Sequence, residues 1–182
     1  QTKALLSQEN VTIFEPAIRF NNLFIRIDLL VKKGNDVELI EVKAKSFDSE
    51  AFDDPFLTKR GGKIQSGWKP YLYDIAFQTY VLKKAYPEFR VKSFLLMADK
   101  NAVCTAEGLN QKFKITRDCR NRLGVKVSSS LTPEDLKDKI LIKKPVDEYV
   151  KMILEDDEPF ASGQNDSFEK EVEYLADQYD KD

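Results

Sequence analysis

Two tight turns near the N-terminus constrain the fold more than any other feature of the sequence. Residues 11–20, 23–31 and 37–45 are rich in Ile, Val, Leu and Phe, the composition of β-strands. Asn21-Asn22 and Gly34-Asn35 separate these runs, and such dipeptides tolerate the positive φ of two-residue hairpin turns. The sequence therefore predicts an antiparallel meander of three strands.

The two turns also predict which residues lie opposite each other. In a two-residue hairpin, facing residues have position numbers with a constant sum, and the turn residues set that sum. The first turn places Glu15 opposite Asp28, and the second places Asp28 opposite Glu41. Three carboxylates are thus expected in one row across three strands, where like charges repel unless something offsets them.

The opposite face of the second hairpin is apolar and is expected to be buried. It carries Ile25, Ile27, Leu29, Val31, Ile40, Val42 and Ala44. Leu30 and Leu39 flank the charges on the carboxylate face, so a second layer of structure is expected to cover part of that face as well.

Two interpretations of the carboxylate row remain open from the register alone. Arg26, Lys43 and Lys45 share the face, so the row fits a solvated, salt-bridged surface. It equally fits a site for a divalent cation, because hard oxygen donors clustered in a cleft need such an ion.

Composition excludes several classes of chemistry. The chain has 182 residues and no His, which rules out His-dependent hydrolases and His-ligated metal sites within it. Its two cysteines, Cys104 and Cys119, are too few for a four-thiolate site. They are interpreted as ordinary thiols of a reducing compartment, which predicts a cytoplasmic location. No apolar run is long enough to span a bilayer, so no membrane partner is expected.

The rest of the chain shows no repeats and predicts an α/β fold. The sequence predicts a short helix over 2–8, a loop over 46–70 and a helix over 71–86 that is stopped by Pro87. It then predicts a strand over 91–98 and an ambiguous segment over 102–128 that suits a hairpin. Toward the C-terminus it predicts a helix N-cap at Thr132, a helix over 145–154 and a last helix over 167–179.

Charge divides the chain in two. Residues 155–182 hold 11 acidic and 2 basic residues, which leaves 27 basic and 20 acidic residues in 1–154. The near-neutral total thus hides a body of net +7 and a tail of net −9. We predict a domain over 1–154 and an acidic segment over 155–182, consisting of a hinge around 162–165 and a C-terminal helix. The basic body is compatible with a polyanionic partner, although such charges also simply solvate surfaces.

The spacing of the charged residues resembles a known signature. Asp28, twelve intervening residues, then Glu41-Val42-Lys43 resembles the D...E-x-K motif of the PD-(D/E)XK nuclease superfamily. The segment from Asp74 to Gln78 is similar to the glutamine motif of its RecB-like branch, which includes CRISPR-associated exonucleases. The resemblance covers about residues 1–100. It implies a restriction-endonuclease-like core, in which a central mixed sheet of four to five strands, the meander first, is flanked by helices.

The resemblance also implies a mechanism and a set of site residues. Asp28, Glu41 and the backbone carbonyl of Val42 would hold Mg²⁺ or Mn²⁺, and Glu15 would complete the site or hold a second ion. Lys43 would position the attacking water or stabilise charge on the phosphate. Gln78 would reach the site from its helix, although it also suits a structural hydrogen bond between helix and sheet.

Basic and aromatic residues beside this region are candidates for nucleic-acid contacts. They are Lys45, Arg60, Lys63, Trp68 and Lys69. The lysines and the arginine could clamp phosphates, and Trp68 could stack on a base. The alternative is a solvated loop on which Trp68 packs as a lid over the core.

The sequence therefore predicts a metal-dependent nuclease that hydrolyses phosphodiester bonds, with DNA favoured over RNA as substrate and an exonuclease-like action. The alternative is a catalytically inactive module of the same fold that binds nucleic acid or protein. Because the chain begins with Gln1, further domains of a longer protein are compatible with it.

The charge division generates a first prediction. A tethered acidic segment competes with phosphates for a basic surface at high effective concentration. Truncation after Leu154 is therefore expected to tighten binding to a short DNA or RNA and to steepen its salt dependence. Titrations of both proteins at two salt concentrations measure this, and equal affinities would exclude the competition.

Overall fold

The structure is a computed structural model that describes residues 1–60, 62–155 and 167–179. Its helices are α1 (Thr2–Leu6), α2 (Lys69–Ala85), α3 (Asp147–Glu155) and α4 (Phe168–Tyr179), with single 3₁₀ turns at Leu109–Lys112 and Pro133–Leu136. Its strands are β1 (Asn10–Phe14), β2 (Ala17–Phe20), β3 (Leu23–Arg26), β4 (Leu29–Lys33), β5 (Asp36–Phe47), β6 (Arg90–Asp99), β7 (Phe113–Arg117), β8 (Leu123–Val127) and β9 (Leu141–Pro145).

The main sheet confirms the α/β class. It is a mixed sheet of five strands in the order β1-β4-β5-β6-β9, flanked by helices, and β2-β3 and β7-β8 form two further two-stranded sheets. β9 was not predicted. None of the helices in the described segments is both long and apolar enough to traverse a lipid bilayer.

The chain forms two compact units. The first consists of Gln1–Ala44, Ala51–Met97 and the described part of Lys143–Asp182, and the second of Lys45–Glu50 and Ala98–Ile142. α4 belongs to the first unit, and the predicted domain boundary after residue 154 stays a prediction. The predicted hinge at 162–165 lies outside the described residues. Cys104 and Cys119 are exposed free thiols, and the cytoplasmic location stays a prediction.

Backbone pairing follows both predicted hairpin registers. Leu29 lies opposite Ile40 across β4 and β5, and Ala17 lies opposite Arg26 across β2 and β3. The first two predicted strands, however, are each divided in two. Glu15 has a φ of 50°, in the left-handed region that bends a strand, and the next residue is proline, which has no N–H to donate.

The predicted buried face is only partly buried. Ile25, Ile27 and Ile40 are buried, Leu29 and Val31 are half-buried, and Val42 and Ala44 are exposed. The expectation that Val42 and Ala44 are covered is wrong, since the end of β5 buries its other side. On that side Leu39 is fully buried and Glu41 is 7% exposed. The second layer expected over the carboxylate face is confirmed.

The layer over that face is α2. Pro70 stands in its first turn, where the missing N–H costs nothing, and the helix ends at Ala85, two residues before Pro87. The predicted apolar stripe is buried and consists of Leu72, Ile75, Thr79 and Leu82. The helix exists where it was predicted, with its ends shifted by one or two residues.

Local signals elsewhere have mixed outcomes. The predicted cap at Thr132 is a capping box with Asp135, but it begins a single 3₁₀ turn. The segment over 102–128 contains the β7-β8 hairpin, as suggested. The helix expected from residue 145 begins at Asp147, because β9 occupies the chain up to Pro145.

The acidic helix α4 packs on α2. Phe168 is 4% exposed, and its ring lies 6.1 Å from that of Tyr80 and 6.4 Å from that of Tyr73. Glu169 binds both Lys84 and the Tyr80 hydroxyl. Truncation after Leu154 therefore uncovers apolar surface as well as removing charge. The variant Glu173→Gln/Asp177→Asn, at two exposed positions, removes two of the negative charges without uncovering that surface and should shift the affinity in the same direction by less.

Candidate active site

Asp28 and Glu41 lie opposite each other where β4 begins beside β5. Asp28 immediately precedes β4, and one of its carboxylate oxygens, Oδ2, accepts a hydrogen bond of 2.8 Å from the Val42 N–H. The β4-β5 register places Asp28 opposite Glu41, as the second turn predicts. The two carboxylates and the main chain of Val42 thus lie together at the start of β4.

Lys43 lies two residues after Glu41 and shares its side of β5. Its ammonium donates to Glu41 Oε1 at 2.7 Å, and the two side chains are 16% and 9% exposed. This lysine also approaches the ring of Tyr71 at 5.8 Å from the centroid. Lys43 is therefore held in a largely dry position by its neighbours.

Helix α2 completes the site with two side chains one turn apart. Asp74 Oδ2 accepts a second hydrogen bond from Lys43 at 2.6 Å. Gln78 Nε2 donates to Glu41 Oε2 at 3.0 Å and to Asp74 Oδ1 at 3.1 Å. Glu41, Lys43, Asp74 and Gln78 form a closed circuit of hydrogen bonds, which we call the β5-α2 cluster.

Burial and pairing shift the titration of the cluster. Burial raises the pKa of Glu41, although hydrogen bonds from Lys43 and Gln78 oppose this. Burial alone would lower the pKa of Lys43, but its hydrogen bonds to Asp74 and Glu41 outweigh burial and raise that pKa. Lys43 therefore carries a positive charge at neutral pH.

Gln78 retains one unused acceptor. Its Oε1 is buried and has no hydrogen-bond partner among the residues that the structure describes. A buried amide oxygen without a partner costs roughly 1–3 kcal/mol. This oxygen is therefore an unused hydrogen-bond acceptor within the β5-α2 cluster.

Glu15 does not join the carboxylates as expected. Its N–H donates to the Asp28 carbonyl at 3.0 Å, so the predicted backbone pairing is present. Its side chain instead pairs with Arg26 at 3.8 Å, and both side chains are 65% exposed. Across residues 1–60, 62–155 and 167–179, no three acidic or cysteine side chains are gathered closely enough to hold a metal ion.

Trp68 is part of the core. It is 7% exposed, and its ring lies 4.8 Å from that of Phe56 and 6.0 Å from that of Tyr71. Of the two interpretations offered by the sequence, this position corresponds to the lid, and the indole face is not available to stack on a base in this conformation.

The predicted basic contacts come from three segments of the chain. Arg60 and Lys63 are exposed on a loop that is closed by the bond from the Thr58 N–H to the Lys63 carbonyl. Lys69 is exposed at the start of α2. Lys45, in β5, belongs to the second compact unit. Their role in binding nucleic acid stays a prediction.

Asp74 was not among the predicted site residues. The sequence did hold a signal for it, because residues four apart on a helix share a face and Gln78 was already a candidate. Asp74 is the residue that joins α2 to the lysine of the D...E-x-K pattern.

Comparison of the chain with protein-family models, with curated proteins and with solved structures gives no match. The family resemblance drawn from the sequence therefore stays a prediction.

The cluster generates a prediction about pH. Asp74→Asn is expected to lower the free energy of unfolding by about 1 kcal/mol at pH 7, because it removes a charged acceptor from Lys43 at a partly exposed position. The folded pKa of Lys43 is raised, so this stabilisation is complete below its unfolded pKa of about 10.4 and is lost as pH rises through the folded value.

Urea titrations between pH 7 and pH 11 measure the effect. The difference between wild type and Asp74→Asn should shrink at the alkaline end. Asp53→Asn, which removes the partner of the exposed Lys59, is the matched control and should change little at pH 7. A pH-independent difference for Asp74→Asn would contradict the assigned ion pair.

Proposed function

We propose that the chain is a metal-dependent nuclease of the PD-(D/E)XK kind that hydrolyses phosphodiester bonds, with DNA as the favoured substrate. The observation that carries this proposal is the meeting of Gln78 and Asp74, from α2, with Glu41 and Lys43, from β5, beside Asp28. Glu41 and Lys43 of the D...E-x-K pattern are thus in contact with the facing side chains of α2 in a single cluster.

The restriction-endonuclease-like core is part of the same proposal. Its support is the chain order: a short helix, antiparallel β1, β4 and β5, then α2 and β6. This order matches the core implied by the resemblance, apart from the β2-β3 hairpin inserted between β1 and β4.

The donor set suits Mg²⁺ or Mn²⁺. Mg²⁺ commonly binds through one or two carboxylates and completes its shell with waters and substrate phosphates. Asp28 and Glu41, with the Val42 carbonyl, would supply such donors. Glu15 is left out of the proposed site, because its side chain pairs with Arg26 at an exposed position.

The ion would supply Lewis acidity toward a phosphoryl oxygen and lower the pKa of a bound water. The chain's own groups then have separate roles. Lys43, which is positively charged at neutral pH, stabilises negative charge that develops on the phosphate. Asp74 holds Lys43 in place, and Gln78 orients Glu41 while its buried Oε1 can accept a hydrogen bond from a positioned water.

One observation favours the alternative, an inactive module of the same fold. Both oxygens of Glu41 already accept hydrogen bonds, from Lys43 and Gln78, so the cluster is satisfied without an ion. Metal binding and cleavage therefore need separate tests.

Metal binding predicts a change in thermal stability. A ligand that binds only the folded state stabilises it, so millimolar Mn²⁺ should raise the melting temperature of the wild-type protein. Asp28→Asn should abolish the rise, whereas Glu15→Gln should preserve it. A wild-type melting temperature that does not respond to Mn²⁺ would exclude the ion site.

The proposed catalytic role of Lys43 predicts a different result when this residue is replaced. Lys43→Ala should abolish cleavage while keeping the Mn²⁺-dependent rise in melting temperature, since the lysine acts on water and phosphate rather than on the ion. The assay uses linear and circular DNA, single- and double-stranded, and RNA, each with Mn²⁺.

The control is Lys143→Ala in β9, which breaks a more exposed ion pair, with Glu38 in β5. It should cut at the wild-type rate. If wild type binds Mn²⁺ but cuts none of these substrates, the inactive module is the correct assignment.

A further inference from the structure

The β7-β8 hairpin has two chemically different faces. Its strands pair antiparallel, and all ten strand residues are exposed. Directly opposed residues of an antiparallel pair point to the same side. One side carries Phe113, Ile115, Leu123, Val125 and Val127, with Arg117 at its end, and the other carries Lys114, Thr116, Gly124 and Lys126.

The hairpin is strongly basic. Residues 112–127 hold six Lys and Arg and a single acidic residue, a net charge of +5. Two of these cations have carboxylate partners: Lys112 binds Asp135 at 2.6 Å, and Arg122 binds Asp118 at 2.7 Å. The charge that remains is concentrated on the polar side and at the tip.

Lys114 and Lys126 form a like-charged pair directly across the two strands. Cβ atoms at such positions lie roughly 5 Å apart, and like charges there destabilise the sheet. Within the described segments, neither ammonium has an ion pair or a side-chain hydrogen bond. A bound anion would offset this repulsion, which the fold itself leaves uncompensated.

The neighbouring pair leaves the same side open. Thr116 lies opposite Gly124, and a Cβ added to Gly124 would meet only the Thr116 hydroxyl, at 3.6 Å. Without a side chain at residue 124, an anion held by the two lysines can approach the backbone at this neighbouring pair, where the Thr116 hydroxyl can donate a hydrogen bond to it.

We propose that this side of the hairpin, formed by Lys114, Thr116, Gly124 and Lys126, binds the phosphate backbone of nucleic acid. A two-stranded ribbon has the width of the major groove of B-DNA, and phosphate contacts place a protein on its substrate without reading sequence. The inference depends on the proposed function only in taking nucleic acid as the partner, and it requires no cleavage.

The test measures binding without cleavage. A fluorescent 20-base-pair duplex is titrated with protein in EDTA at several salt concentrations, with wild type, Lys114→Gln/Lys126→Gln and the control Lys3→Gln/Lys139→Gln. The control removes the same charge at exposed positions elsewhere. The hairpin variant should bind about tenfold more weakly at low salt, with a salt slope smaller by about 2.

A second variant separates binding from folding. Lys114→Glu replaces the repulsion by a cross-strand ion pair, so it should keep or raise the melting temperature while weakening binding. If Lys114 and Lys126 affect only folding stability, Lys114→Glu changes the melting temperature and leaves the affinity for the duplex unchanged.

Three outcomes overturn the proposal: equal affinity and slope for the hairpin variant and its control, no binding of the duplex by wild type, or binding of poly-glutamate in place of DNA. A wild type that binds the duplex through the hairpin but cuts no substrate with Mn²⁺ would refute the nuclease and leave the hairpin site standing.

Discussion

The burial of the Glu41 carboxylate between β5 and α2 is the constraint on which the site depends. Removing a charge from water costs several kcal/mol unless partners in the protein replace the lost hydration. Lys43 and Gln78 take up both carboxylate oxygens, and Asp74 in turn holds Lys43. The hydrogen-bond circuit therefore fixes how α2 lies against the sheet, because a shift of one helical turn would separate Glu41 from Gln78. A hydrophobic contact alone would fix this alignment less strictly.

The part of the site that the sequence predicted depends on short-range rules. Two dipeptide turns set the register, so Asp28 and Glu41 could be placed opposite each other by counting. Gln78 and Asp74 could be placed on one helix face by their spacing. The division of the strands at Glu15 was missed, since a single left-handed residue before a proline leaves the apolar pattern unchanged. That one φ value removes Glu15 from the carboxylate row.

The parts that could not be predicted depend on long-range packing. The apolar pattern predicted that the side of β5 carrying Val42 and Ala44 is buried, but α2 packs against the side with Glu41 and Lys43. Which side a helix covers depends on the connection over 48–68 and on Trp68, whose burial against Phe56 anchors the start of α2. β9 was missed because residues 141–145 include two lysines and a proline, a composition that hides an edge strand.

The two proposed sites carry opposite charges, and each charge suits the ligand that the site is proposed to bind. At the candidate active site, Asp28, Glu41 and Asp74 outnumber Lys43, which leaves negative charge that attracts a cation and repels a bare phosphate. On the hairpin, Lys114 and Lys126 leave positive charge that attracts phosphate. A nuclease needs both, because its reaction centre can accept a phosphodiester only after a cation has offset the carboxylates. Binding affinity for nucleic acid therefore has to come largely from elsewhere on the protein, and the exposed, uncompensated lysine pair is a surface with the charge to supply it. On this view, metal removal abolishes cleavage while leaving most of the affinity intact.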